Sequence, residues 1–426
     1  MSYKFIAFRR PDPQQTTPAN MPIDEVRAQT IDAASVMSEP QAERLERLGL
    51  QAAPATVLPA ADASRFTMHD LMGALVIQTP DLRQALRAQQ VLDPEYTVVP
   101  NVELALPPPI PGAVYRRLPE SAPEWPEVSG VALAHSLGVT GKGVRIGVLD
   151  TGVDADHLEL RHKVIDFRYV PLNSGADAMR DCRGFDVDGH GTHVCDIAAG
   201  RINGVAPDAE LMVAGVLESE TLKTSLERVV VALNWMLAQF KDTKNLHKPM
   251  IVNMSLGFTR ESIDRTDFAN TVRGFQLILH TLSAVYNVLP VVAAGNDGVS
   301  NVRAPALFDD TLSVGAVDFD LNVPGFSSSG RSVFTNQQEP DLVGYGVDVL
   351  GAFERNRYGR SLYRRMSGTS MATPYVAGIA ALYAAQNPRL QGHALWQHLK
   401  QSALPLTDAP AERVGSGLAR FVEEET

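Results

Sequence analysis

Beyond residue 120 or so the chain alternates short apolar runs with longer amphipathic stretches. Val144–Leu149, Leu211–Val216, Met250–Met254, Val288–Ala293 and Thr311–Val317 have the length and content of strands. His190–Ala199, Leu222–Phe240, Asp264–Val285 and Ser370–Gln386 have apolar residues at helical spacing. This alternation predicts an α/β fold, a parallel sheet with helices on both faces. Such sheets gather their chemistry at the carboxyl ends of the strands.

The first 106 residues follow another rhythm. Lys4–Arg9 alternates as a strand, Pro40–Leu50 has helical periodicity and Gly73–Gln78 is an apolar strand. Asp81–Arg87 reads as a capped helix, and Tyr96–Leu104 as a closing strand or hairpin. That order predicts a small α+β domain resembling a ferredoxin-like sandwich, with the polar residues 11–35 as a loose insertion. Pro107-Pro108-Pro109-Ile110-Pro111-Gly112 is stiff, extended and expected not to join a sheet. The expected division is therefore 1–106, a Pro-rich linker at 107–120 and a large domain at 121–426.

Composition narrows the function. A length of 426 residues, 45% of them hydrophobic, allows a sizeable core. The net charge of −11 argues against a general nucleic-acid binder. No stretch is apolar and long enough to span a membrane, and Met1–Arg10 lacks the apolar core of a signal peptide. With only Cys182 and Cys195 there is no disulfide framework, so the expectation is a cytoplasmic protein.

Four polar residues fall where an α/β sheet would expose them. Asp150 closes the run Val144–Leu149, facing a cleft or forming an Asx-turn. His190 stands between Gly189 and Gly191 at the mouth of a helix, as a base or a capping residue. Asn296 follows Val291-Val292-Ala293-Ala294-Gly295, as an amide donor or a turn residue. In Gly368-Thr369-Ser370-Met371-Ala372-Thr373-Pro374 the glycine gives a tight approach and Ser370 opens a helix, its N–H at the positive dipole end. Pro374 is read as early enough in the helix that its missing N–H breaks little, and ordinary capping of an Ala-rich helix fits the same residues.

Together these give the order Asp, His, Ser on a parallel scaffold, with an amide between the last two, which is the order found in subtilisin. Val148-Leu149-Asp150-Thr151-Gly152, His190-Gly191-Thr192-His193-Val194, Asn253-Met254-Ser255-Leu256-Gly257, Ala293-Ala294-Gly295-Asn296 and the stretch around Ser370 resemble the subtilisin-like serine peptidases. The resemblance implies Ser370 as nucleophile, His190 as base, Asp150 as its orienting carboxylate and Asn296 in the oxyanion hole. It also implies that Ser255, Leu256 and Gly257 hold a protein or peptide substrate as an added strand, with Ala294, Gly295 and Arg303 near the primary specificity pocket. Residues 1–106 resemble the family's propeptides, which assist folding and plug the cleft, so the N-terminal domain is expected to be an intramolecular inhibitor. Its expected cut lies near Leu106 or at Arg116-Arg117, or the domain stays attached.

Several features depart from the family pattern. The stretch from Ala198 to Pro207 is short, as in proteinase K-like members, so no cofactor is assigned and no calcium site is identifiable. Cys182, Cys195, His190 and His193 would also permit zinc. Arg303, and the cluster Arg355, Arg357, Arg360, Arg364 and Arg365 in an expected hairpin, would favour acidic substrates if their charges face the cleft, and otherwise point into solvent. The alternative to an endopeptidase is an inactive homologue that only holds peptides.

Overall fold

The computed structural model describes residues 3–10, 21–36, 39–53, 64–106, 109–118, 125–171, 180–218, 222–258 and 268–423. The N-terminal unit contains β1 (Tyr3–Arg9), α1 (Ile23–Val36), α2 (Glu39–Glu46), β2 (Gln51–Ala52), β3 (Arg65–His69), β4 (Ala74–Thr79), α3 (Leu82–Leu92) and β5 (Tyr96–Pro100). Its sheet has the order β2-β3-β4-β1-β5, with β1 antiparallel to both neighbours. Apart from β2 and α1, this is the ferredoxin-like arrangement. Phe5 and Ala7 of β1 pack towards Leu45, Ala85 and Leu92, while Ile6 and Phe8 face the other way. Both faces are covered, so β1 has four consecutive buried residues where a half-exposed strand would alternate.

The chain continues through β6 (Glu103–Ala105) and β7 (Ile110–Tyr115) to α4 (Val131–Ser136), β8 (Arg145–Asp150), β9 (Ile165–Tyr169) and β10 (Arg180–Asp181). Then come α5 (His190–Ala199), β11 (Glu210–Gly215), β12 (Lys223–Ser225), α6 (Leu226–Ala238), β13 (Met250–Met254), α7 (Phe268–His280), β14 (Leu289–Ala293) and β15 (Leu312–Val317). The remainder is β16 (Gly330–Arg331), β17 (Gln338–Glu339), β18 (Leu342–Tyr345), β19 (Val349–Phe353), β20 (Leu362–Ser367), α8 (Thr369–Gln386) and α9 (Gly392–Ser402), closed by a short helical turn at Ala411–Val414. The large sheet runs β10-β9-β11-β8-β13-β14-β15-β18, parallel throughout except where β10 joins β9. The main strand expectations fall on β8, β11, β13, β14 and β15 within a residue at each end. No helix among the described residues is long and apolar enough to cross a membrane.

Three expectations are corrected. Tyr96–Leu104 is not one strand or hairpin: β5 joins the N-terminal sheet and β6 pairs with β12 of the large unit. Residues 110–115, expected not to join a sheet, form β7, which pairs antiparallel with β20 as the outer strand of β19-β20-β7. A proline such as Pro111 is tolerated there because an edge strand needs donors along one side only. The supposedly loose stretch 11–35 includes α1, while residues 11–20 lie outside the described ones.

The two units share a core. Ile6, Phe8, Val76 and Val99 belong to the same apolar cluster as Leu233, Phe275 and Leu279 on α6 and α7. Polar contacts fix the register. Asn234 Oδ1 accepts from the backbone N–H groups of Leu71 and Met72 at 3.1 and 3.3 Å, and Lys4 Nζ meets Glu227 Oε2 at 2.7 Å. Asn101 Oδ1 accepts the Glu227 N–H at 3.0 Å, so a residue of the N-terminal unit satisfies an open donor in the first turn of α6. Close approach depends on Gly274 of α7, where a Cβ would lie 2.8 Å from Val99 Cγ1 and 3.2 Å from Phe8 Cε2. Replacing Gly274 with Val should therefore cost about 1–3 kcal/mol through overpacking. Thermal unfolding in a Ser370→Ala background measures this, and an unchanged midpoint would contradict the tight contact.

Candidate active site

Four segments meet at the carboxyl ends of β8, β13 and β14 and at the start of α8. Asp150 is the last residue of β8 and is wholly buried. Its Oδ1 lies 2.7 Å from His190 Nδ1 and also accepts the Thr151 N–H at 2.7 Å. The Thr151 hydroxyl donates to Asp186 Oδ1 at 2.7 Å and accepts the Gly191 N–H at 2.9 Å. Asp186 Oδ2 accepts from both the N–H and the hydroxyl of Thr192, at 2.7 and 2.6 Å. The strand end and the first turn of α5 are thereby tied together, which sets the imidazole against the carboxylate. Thr151 and Thr192 stand inside the motifs quoted from the sequence, but neither they nor Asp186, four residues before His190, are assigned a role there.

Burial alone would lower the His190 pKa, but the charge and hydrogen bond of Asp150, joined by Asp188 and Asp186, outweigh it and raise it above the ordinary 6.5. Among the described residues His190 Nε2 and Ser370 Oγ are both buried and without a hydrogen-bond partner, so no bond between them is formed in this structure. Asn296 Oδ1 accepts from the Thr369 N–H at 2.9 Å and its hydroxyl at 3.0 Å. That fixes the amide plane, with Nδ2 3.1 Å from the position a Cβ would take on Gly368. Any side chain at 368 would press on this donor.

Ser370 is the second residue of α8, a helix buried for nearly its whole length. Pro374 is the sixth, deeper than expected, so its missing N–H removes the helical partner of the Ser370 carbonyl rather than falling among the free N-terminal donors. The Thr373 hydroxyl donates to the Thr369 carbonyl at 2.7 Å within the same turn.

Ser255, Leu256 and Gly257 follow β13 and are buried. Gly257 exchanges two backbone hydrogen bonds with Ala105 of β6, at 3.0 and 3.1 Å, and Leu106 N–H donates to the Leu222 carbonyl at 2.9 Å. A strand of this chain therefore lies between Gly257 and β12. Pro109 Cα then comes within 3.7 Å of the Cβ position of Gly368, beside Asn296. The carbonyls of Ala294 and Gly295 are taken by the N–H groups of Arg303 and Ser328.

The charges look different from their sequence. Arg303 forms a two-pronged pair with Asp297, at 2.6 and 2.9 Å, so its guanidinium is neutralised next to the site. Arg355 pairs with Asp154 and Asp156, and Arg365 with Asp348, while Arg364 lies over Phe353 and Arg357 over Tyr358. The expected hairpin is present as β19 and β20, but Asp154 and Asp156, distant in sequence, and Asp348, just before β19, offset much of the positive rim. His193 Nε2 lies 3.2 and 2.9 Å from the carbonyls of Val349 and Arg364, a tie between α5 and that hairpin. Cys195 is buried and Cys182 exposed, and no group of three or more potential metal-binding His, Cys, Asp or Glu occurs among the described residues. Asp196, beside Cys195, accepts from Asn203 Nδ2 and the Ala352 N–H, both at 2.6 Å, and burial pushes its pKa up to about 7.

A profile described as the subtilase family matches residues 141–417. The subtilisin-like protease PopC of Myxococcus xanthus is 44% identical over 372 residues, covering 85% of this chain and 78% of that protein. Subtilisin BL of Lederbergia lenta is 32% identical over 296 residues, covering 67% and 91%. The major intracellular serine protease of Bacillus subtilis is 32% identical over 258 residues, covering 58% and 69%.

The raised pKa gives a signed expectation. A histidine raised by its partners stabilises the fold fully below its unfolded pKa, and this contribution disappears as pH rises through the folded pKa. In Ser370→Ala protein the His190 ring should titrate above 6.5 by NMR, and Asp150→Asn should move it downward. Titration at or below 6.5 in the parent would show that burial outweighs the carboxylates.

Proposed function

The chain belongs to the subtilase family of serine peptidases, and from that premise we propose that Asp150, His190 and Ser370 are its catalytic triad, with Asn296 in the oxyanion hole. The observation that carries this reading is the 2.7 Å contact between Asp150 Oδ1 and His190 Nδ1, with His190 Nε2 and Ser370 Oγ both buried and without a hydrogen-bond partner among the described residues. Ser370 Oγ attacks the scissile carbonyl carbon while His190 Nε2 takes its proton. Asp150 holds the tautomer and stabilises the imidazolium. The negative oxygen of the tetrahedral intermediate is met by Asn296 Nδ2 and the Ser370 N–H. His190 returns the proton to the leaving amine as the C–N bond breaks. Water, deprotonated by His190, then hydrolyses the acyl-enzyme and restores Ser370.

Within this reading Ser255, Leu256 and Gly257 bind the substrate strand, and Ala294, Gly295 and Arg303 border the pocket for the side chain before the cut. The pairing of Arg303 with Asp297 favours a pocket that does not select acidic side chains. No metal or cofactor enters the mechanism.

The N-terminal unit acts as an intramolecular inhibitor. Its support is the placement of residues 103–106 and 109–115: β6 pairs with β12 and Gly257, Pro109 lies beside Gly368, and β7 pairs with β20. A substrate would need the same edges. The bonds after Leu106, Pro107 and Pro108 all lead into a proline nitrogen, which makes this a poor cleavage segment. Exposed Arg116 and Arg117 lie just past β7 as an alternative point of cutting. Dedicated processing of a specific intracellular protein or precursor peptide is the narrower form of the proposal, and the name of the Bacillus subtilis relative supports only its location inside the cell.

Wild-type protein should hydrolyse an unfolded protein substrate, and Ser370→Ala should lower turnover by at least about 1000-fold. Asn296→Ala should cost about 100- to 1000-fold, a magnitude measured for this donor in subtilisin itself. A wild type that neither cleaves casein nor takes up a fluorophosphonate, even after limited proteolysis at Arg116-Arg117 and removal of the N-terminal fragment, would favour a peptide-holding protein without catalysis. Intact masses of wild type and Ser370→Ala test the inhibitory segment. A wild-type fragment beginning at Pro107, Pro108 or Pro109 would show that the prolines do not protect it.

A further inference from the structure

Arg27, on the exposed-looking polar stretch before the ferredoxin-like helices, is completely buried. It projects from α1 into the large unit. Its Nε donates to the Tyr286 carbonyl at 2.9 Å, and Nη1 donates to the Leu246 and Lys248 carbonyls at 2.7 and 2.9 Å. Nη2 donates to Gln391 Oε1 at 2.9 Å and, at a longer 3.5 Å, to the Asn287 carbonyl. The guanidinium carbon lies 4.0 Å from the centre of the Phe240 ring. Gln391 is itself oriented by donating Nε2 to the carbonyls of His247 and Pro388, at 3.1 and 2.8 Å. No carboxylate among the described residues pairs with Arg27, and burial is what moves its pKa, down to about 9. The charge is held by carbonyl dipoles and a ring face, a planar set of acceptors that fits a guanidinium and poorly fits an ammonium.

The location matters as much as the contacts. Leu246 and Lys248 precede β13, and Tyr286 and Asn287 precede β14, so the acceptors stand at the amino ends of two parallel strands. Gly257 and Asn296 follow the carboxyl ends of the same strands. Five residues of strand separate these ends by roughly 16 Å.

We propose that Leu246, Lys248, Tyr286, Asn287, Gln391 and Phe240 form a guanidinium-binding exosite, and that Arg27 is its ligand, anchoring the N-terminal unit at a second point remote from the cleft. This rests on the reading of that unit as an inhibitor. With the cleft segment and the core shared with α6 and α7, each such contact raises the effective concentration of the others. Displacing or cutting the segment around Pro107–Pro109 therefore does not by itself release the inhibitor.

Chemical rescue tests the site in the full-length chain. Arg27→Ala should lower the thermal midpoint in a Ser370→Ala background and, in the active chain, raise basal hydrolysis of a short peptide on the order of tenfold. Millimolar ethylguanidinium should reverse both effects, ethylammonium should not, and Arg27→Lys should behave as Arg27→Ala. Equal rescue by the two cations, no rescue by either, or an Arg27→Ala chain indistinguishable from its parent would overturn the proposal. Should Arg27→Ala fail to fold, Gln391→Leu carries the test: it should give a smaller change in the same direction, and no change would count against the site. Rescue of the thermal midpoint, with basal activity already unrestrained in the parent, would leave the exosite standing and refute the inhibitory reading.

Discussion

The short contact between Asp150 and His190 organises the centre of the molecule, because it joins the end of a strand to the beginning of a helix with both side chains buried. Neither residue could hold that position alone. Thr151 and Asp186 bind the strand end to the backbone of α5, and the carboxylates around the ring supply the potential that offsets its burial. The parallel sheet makes the convergence possible: β8, β13 and β14 end on the same edge, so residues distant in sequence are delivered to one place.

The same edge receives the N-terminal unit. Helices α6 and α7 present an apolar surface that the small sheet covers, and the segment after β5 is then aimed at Gly257 rather than at solvent. Backbone pairing on both sides of Pro109 explains how a proline-rich segment is held without many side-chain contacts: Ile110 to Val114 of β7 are exposed, yet their strand is in register with β20. Recognition of this kind reads chain direction and extension before it reads side chains.

Much of this was legible in the residues. Continuous apolar runs marked the central strands because these lie between helices and have no polar face to confuse the pattern. The Asp, His, Asn and Ser stretches were legible because each combines a chemical group with glycines that permit close approach. Long-range pairing was not. Nothing local tells that Asp154 and Asp156 claim Arg355, or that residues 110–115 find a free edge. Arg27 was hidden for a related reason. In a weakly amphipathic polar helix one arginine looks like its neighbours, and only the carbonyls of two separate loops and the Gln391 side chain distinguish it.

The Asn101 contact with the first turn of α6 bears on the order in which the chain is made. Ser225, the local candidate for that cap, accepts the Arg228 N–H only at 3.5 Å, whereas Asn101 accepts the Glu227 N–H at 3.0 Å. A ribosome delivers Asn101 more than a hundred residues before Leu226, and domains formed early in synthesis fold before later ones. The helix that roofs one side of the sheet thus emerges to meet a partner already in place, and its starting point is specified by a residue from outside the unit it belongs to.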